Sequence, residues 1–336
     1  MIISRLAALA VLLALPAGAQ DVKTIKFATL APDGSTWMNV MKDLDKDVQA
    51  RTGGKLKFKF YPGSEAGDEG DVIKKIRIGQ LQAGGFTGVG LGKVAPEVRL
   101  LDAPWLFRSP AELALVREKF NAEFSGAVEK GGFVVLGWTD LGSVYVFSRD
   151  KIDGPEDMKR AKMWVWEGDP IAAAAYQALG VNPVPLSIID VMQSLQTGLI
   201  DAVYGPPLGV VALQWFQRLK HIYPVPMAES TGAILISKKF FDALPADQQK
   251  ILTDLSAKHV KRLNELSNAD NAKALASMQK QGLALGAKPG PDVYAKDAEL
   301  GRAARRDLVG RLYSAELLDR VEKELADLRA RKTAQD

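Results

Sequence analysis

Cysteine is absent from all 336 residues, so the chain has no disulfide framework and no thiol to carry a lipid anchor. Histidine is nearly absent: His221 and His259 are the only two, and neither stands in an acidic or Cys pattern that would build a metal site or a nucleophile's base. His259 lies in a charged helical stretch and reads as solvated, whereas His221, before a Tyr-Pro strand, reads as structural. No Ser sits in a G-x-S-x-G elbow, and no paired carboxylates share a site by spacing, so nothing argues for an enzyme or a cofactor. A concentrated basic tract is missing too. Lys and Arg number 44 against 40 Asp and Glu, a formal net charge of +4, which does not suggest a nucleic-acid partner.

The first nineteen residues, MIISRLAALAVLLALPAGA, place one Arg before an apolar run, then Pro16 and the small residues Ala17, Gly18 and Ala19. This is the pattern of a secretory signal peptide cleaved after Ala19, since as a membrane anchor the run is short and breaks at Pro16. The expected location is the periplasm. The glycines from Gly84 to Gly92 lack the dinucleotide-loop spacing, and a Pro follows where the helix of that motif would begin. A close-packed cleft floor with Phe86 is the better reading.

What is present is alternation of short strands and helices, an α/β pattern. TIKFATL and KLKFKFYPG alternate as strands, with Leu56, Phe58 and Phe60 on one face; helices follow each, and AGGFTGVG supplies a third strand. GGFVVLGWTDLGSVYVFSRD reads as two strands crossing between lobes, with a hinge near residues 140–150. Residues 158–207 then repeat strand, helix, strand, helix, strand: MWVW, a helix stopped by Gly180, VNPVPLS, a helix from Asp190 to Gly198, and LIDAVYGPP. A long helical tract begins at FFDALPADQQ. Near the end, Leu317, Val321, Leu325 and Leu328 form one helical stripe, which suits docking on the protein's own body. One stripe without sustained heptads favours a monomer over a helix-mediated dimer.

Ligands of such sheets collect at the C-terminal strand edges, where Trp164, Trp166 and Tyr204 stand. Singly, large aromatics at strand ends serve core or hinge packing. Together, beside Gly and Pro loops, they point to one wall of a cleft.

The stretches KFATLAPDGSTW, LLDAPWLFRSPAE, EDMKRAKMWV and ALGVNPVPLSIIDVMQSLQTGLIDAVYGPP resemble the DctP-type substrate-binding proteins of tripartite ATP-independent periplasmic (TRAP) transporters. ILISKKFFDALPADQQKIL is similar to the family's return segment, and the resemblance runs from about Lys23 to Lys280. It implies a two-lobed venus-flytrap fold with crossing hinge strands, a long helix spanning both lobes, no catalysis, and delivery of a small ligand to an integral membrane permease pair. The expected lobes are residues 20–145 plus about 232–275, and 146–231, with 276–336 packing across both.

The chain departs from the family pattern at three polar anchors. The resemblance places an Arg that pairs with the ligand carboxylate at Trp164, within Lys162-Met163-Trp164; an Asn at Gly205; and a further Arg at Val144, within Gly142-Ser143-Val144. A guanidinium fork gives a carboxylate two charge-assisted bonds, worth about 1.5 to 3 kcal/mol each, and an indole gives one neutral donor. Its loss should weaken an organic acid at least about tenfold. The expected ligand is therefore apolar, aromatic or uncharged, in a cleft of Trp37, Phe86, Trp164, Trp166, Ile188, Tyr204 and Gly205, with Trp138 and Tyr145 as further candidates. Asp71, near a family acidic position at the cleft mouth, is a candidate acceptor for a hydroxyl or amine, against a solvated role at a helix start. The alternatives are an organic acid with Lys162 as the cation, since period-two alternation puts Lys162 on the face of Trp164 and Trp166, although a solvated Lys at the start of the strand is the preferred reading of that residue; a ligand-sensing interaction protein without transport; and a secreted enzyme using His221 or Asp71.

Overall fold

The computed structural model describes residues 22–333; the signal-peptide expectation lies outside them. Three parallel strands open the chain, β1 (Lys23–Ala28), β2 (Leu56–Tyr61) and β3 (Ala83–Thr87), in the order β2-β1-β3. Their apolar residues alternate inward: Ile25, Phe27, Leu56 and Phe58 are buried against the helix Thr36–Thr52. That helix starts where Ser35 accepts from the Met38 amide and stops at Gly53, which takes φ 59°.

The expected two crossing strands are one. β4 (Phe133–Ser148) runs unbroken for 16 residues, because register shifts at Val135/Gly137 and Asp140/Gly142 absorb the bend, with Gly142 at φ 108°. Through Val144 it pairs antiparallel with β9 (Ala228–Ser237), which joins it to β3. From Tyr145 it pairs instead with β7 (Ala202–Gly205), and at Phe147 and Ser148 with β8 (His221–Ile222) on the other side. β8 in turn pairs with β10 (Ala284–Leu285). One sheet thus continues along the whole of β4, which changes neighbours inside the 140–150 stretch.

Beside it, β5 (Trp164–Trp166) and β6 (Val184–Leu186) pair in parallel across the helix Pro170–Leu179. Asp169 caps that helix by accepting from the Ile171 amide, and Gly180 ends it at φ 69°.

Pro245 separates Lys238–Asp242 from the 35-residue helix Ala246–Lys280, which packs on β4, on Thr36–Thr52 and on Pro207–Ala212. On this helix His259 is not solvated: it is 4% exposed, with Nε2 2.8 Å from Asp47. The helix Pro291–Asp307 lies on Pro170–Leu179, and the helix Ala315–Thr333 sets Leu317, Leu318, Val321 and Leu325 into the core beside Leu113 and Val116.

Candidate ligand cavity

A cavity of about 290 Å³ lies among the ends of β1, β3, β5 and β7 and the β4–β9 crossing. Its size suits a small solute.

One wall is aromatic. Trp164 stacks on Tyr204 at 4.9 Å and 22°, meets Trp215 edge-on at 5.3 Å, and lies 6.1 Å from Trp166. Trp164 is 1% exposed, and its Nε1 donates to the Leu186 carbonyl at 3.0 Å. The ring is locked in place by the strand beside it.

A buried charge cluster joins this wall to the segment Pro96–Asp102. Arg99 donates through Nη2 to Asp169 Oδ1 at 2.8 Å, and its Nε lies 3.6 Å from Asp102 Oδ2. Asp102 also accepts from the Thr231 amide, and Asp169 accepts from the Tyr204 hydroxyl at 3.2 Å. Burial works against the charge on Arg99, but Asp169 and then Asp102 outweigh it and hold its pKa above the ordinary value. Burial pushes Asp102 up to about 6, against the pull of Arg99. Tyr204 is held well above the usual phenol range by burial and then by Asp169, which keeps its hydroxyl a donor.

The floor contains the glycine-rich segment. A Cβ on Gly85 would meet the Trp37 ring at 2.4 Å; on Gly88, Asp102 Oδ2 at 1.6 Å; on Gly90, Glu69 Oε2 at 2.7 Å. Each glycine admits a neighbouring side chain to the backbone. A short helix, Gly88–Val94, does open here, contrary to the sequence expectation. The anion at its start is the protein's own: Glu69 accepts from the Thr87 amide at 2.6 Å, the Thr87 hydroxyl at 2.9 Å and the Gly90 amide at 2.7 Å. Burial nonetheless pushes Glu69 up to about 7.

Of the residues singled out from sequence, Trp37, Phe86, Trp164, Trp166, Ile188, Tyr204 and Gly205 line the cavity. Four lie outside it. Lys162 is exposed and donates to the Gly198 carbonyl, because β5 begins only at Trp164 and Asp201 Oδ1 takes the Lys162 amide. Asp71 faces solvent beside Lys74, one turn along the helix whose start supplies Asp68 and Glu69. Trp138 turns away to donate to Asn121 at 2.8 Å, and Tyr145, half-buried, packs against the cluster that contains Trp164 and Trp166. Sequence reasoning passed over Arg99, Asp102, Asp169, Glu69, Glu229 and Tyr176, all at the cavity. For Arg99, Asp102 and Glu229 the signal was a charge inside an apolar run, EVRLLDAPW and PMAESTGAIL.

Residues 27–292 match the DctP family, described as bacterial extracellular solute-binding protein, family 7. The chain is 28% identical over 242 residues to the 2,3-diketo-L-gulonate-binding periplasmic protein YiaO of Escherichia coli strain K12, covering 70% of this chain and 72% of that one. It is 25% identical over 281 residues to the C4-dicarboxylate-binding periplasmic protein DctP of Rhodobacter capsulatus, covering 82% and 83%. In fold it is similar to a TRAP periplasmic solute-binding protein of Citrobacter koseri crystallised with D-glucuronate, with a TM-score of 0.82 and 24% identity over 91% of this chain and 99% of that one.

Proposed function

The chain belongs to the DctP family of bacterial extracellular solute-binding proteins, a solute receptor and not an enzyme, and on that premise we propose that it captures an apolar, aromatic or uncharged small molecule. It does so in the periplasm, after removal of residues 1–19, as a monomer that hands its ligand to membrane permease subunits. We assign residues 20–145 with about 232–275 to one lobe and 146–231 to the other, with 276–336 packed across both.

One observation carries the ligand reading. Arg99 is the only Lys or Arg among the described residues lining the cavity, and it is already paired with Asp169 and Asp102. Where the family resemblance places an arginine, Trp164 is stacked flat on Tyr204. A ligand carboxylate would meet a wall of rings and a spent cation. Leaving it unpaired costs several kcal/mol, and about 1.4 kcal/mol is tenfold in affinity. A buried ring of the ligand gains about 1.5 to 3 kcal/mol from area alone.

A second reading has its own support. Two of the relatives, YiaO and DctP, are named for acids, and a ligand acid displacing Asp169 from Arg99 would find there the cation that the alternative reading sought in Lys162. Calorimetry with D-glucuronate, a C4-dicarboxylate and a set of neutral aryl compounds separates the two. Tighter binding of the aryl compounds is expected. Tighter binding of either acid, lost in Arg99→Met, would replace the first reading with the second.

A further inference from the structure

The five carboxylates lining the cavity are not equivalent. Asp169 and Asp102 share Arg99. Asp140 is paired with Arg117 at 2.7 Å. Glu69 is held by two amides and a hydroxyl. Glu229 differs from all of these. It is 4% exposed, and its Oε1 accepts from the Ser143 hydroxyl at 2.7 Å. Among the described residues no cation pairs with it, and no donor reaches its Oε2.

The surroundings of Glu229 do not supply a positive charge. Ser143 and Glu229 face each other across the β4–β9 ladder, one step from Val144 and Ala228. The charged groups acting on Glu229 are Asp140 and Glu112, both acidic, and the cations near those two are engaged, Arg117 by Asp140 and Arg329 by Glu112. A carboxylate in that position, walled by protein on one side and by the cavity on the other, is completed by a donor that arrives with the ligand.

Resting on the reading of the cavity as apolar, we propose that Glu229 is the polar anchor of the site and that it selects a protonated amine carried on an aromatic or aliphatic body. An ammonium offers Glu229 a charge-assisted bond in a site where burial strengthens it, while the body packs against Trp164, Trp166, Trp37 and Phe86. The polarity of the crossing strands is thereby the reverse of that implied by an arginine at Val144.

Three probes that differ mainly in the head group test this: 2-phenylethylamine, 2-phenylethanol and 3-phenylpropionate, titrated calorimetrically at pH 7.5 into the whole mature chain and into Glu229→Gln, with circular dichroism to verify the fold. The amine is expected to bind at least about tenfold tighter than the alcohol, and Glu229→Gln to bring the amine down to the alcohol. A second variant, Ser143→Ala, leaves the carboxylate in place and is expected to retain the amine preference. Equal affinity for amine and alcohol in the unaltered protein, or an amine preference that survives Glu229→Gln, overturns the anchor while leaving the apolar cleft intact. Preference for the phenylpropionate, or binding of none of the three, overturns the apolar cleft and the anchor with it.

Discussion

The guanidinium of Arg99 and the carboxylate of Asp169, both 4% exposed, are 2.8 Å apart and join the 3-10 segment Pro96–Asp102 to the start of the helix Pro170–Leu179. The pair spans the two sides of the cavity, and Asp169 simultaneously caps that helix and accepts from Tyr204. Asp169→Ala should cost about 3 kcal/mol, because it leaves the buried Arg99 with only Asp102, at 3.6 Å, as an ion-pair partner among the described residues. Pairing it with Arg99→Met should cost less than the two single changes added together. Urea unfolding of the four proteins decides this, and strict additivity would show that the two groups do not act as a pair.

Gly88 and Gly126 make a controlled comparison of the same substitution. At Gly88 a methyl would press on Asp102 Oδ2 and come within 3.1 Å of Arg99 Nη1, whereas at Gly126, inside the helix Asn121–Lys130, nothing lies within 4 Å. Gly88→Ala is expected to destabilise by about 1 to 3 kcal/mol through overpacking. Gly126→Ala should stabilise by about 0.5 to 1 kcal/mol through helix propensity. Thermal melts of opposite sign are the expected result.

Local physics explains which parts of this fold and site were legible in the sequence. The alternation of Leu56, Phe58 and Phe60 gave β2, and Gly180 and Gly198 stopped helices in the left-handed conformation. Strand-end position was enough to bring Trp164, Trp166 and Tyr204 to the cavity. Arg99 and Asp169 were not legible, since they meet across 70 residues and a sequence does not show which charge answers which. Lys162 shows the converse limit: it is solvated, as a Lys at the start of a strand should be, and the alternative role as a cleft cation fails because a period of two holds only within a strand, and β5 starts two residues later. His259 looked solvated among charged neighbours, but its face of the helix is covered by the helix Thr36–Thr52, where Asp47 receives it.

Stability should fall as the pH rises from 5 to 8. Burial pushes Glu69 and Glu229 each up to about 7, while in the unfolded chain a Glu titrates near about 4.3. Between those values the folded protein holds more protons than the unfolded one, so raising the pH favours unfolding. The stabilisation is complete below the unfolded value and lost as the pH passes through about 7; for a shift of this size it is on the order of 3 kcal/mol per group. Asp102, pushed up to about 6, acts in the same direction. Melting temperatures measured across this range should decline, and the decline should be shallower in Glu229→Gln. A melting temperature that rises with pH would contradict the assignment.

Asp68 clips the two walls of the cavity together with one oxygen and caps a helix with the other. Its Oδ1 accepts from the Glu69 amide at 2.6 Å at the start of the helix Glu69–Arg77, and its Oδ2 accepts from Trp166 Nε1 at 3.1 Å and from the Ser187 hydroxyl. Asp68→Asn separates the two duties. The amide oxygen can keep the cap, but an NH₂ group then faces the Trp166 N–H, two donors with no acceptor between them. The melting temperature should therefore stay close to that of the unaltered protein, whereas Asp68→Ala loses the cap as well, worth about 1 kcal/mol. In both variants the ligand-free protein should open: Trp166, now 6% exposed, gains contact with water, its emission shifts to the red, and the radius of gyration measured by small-angle scattering increases. If Asp68→Asn leaves emission and radius unchanged, the walls are held by Arg99 and Asp169 alone, and the contact at Asp68 merely follows from the closure that they enforce.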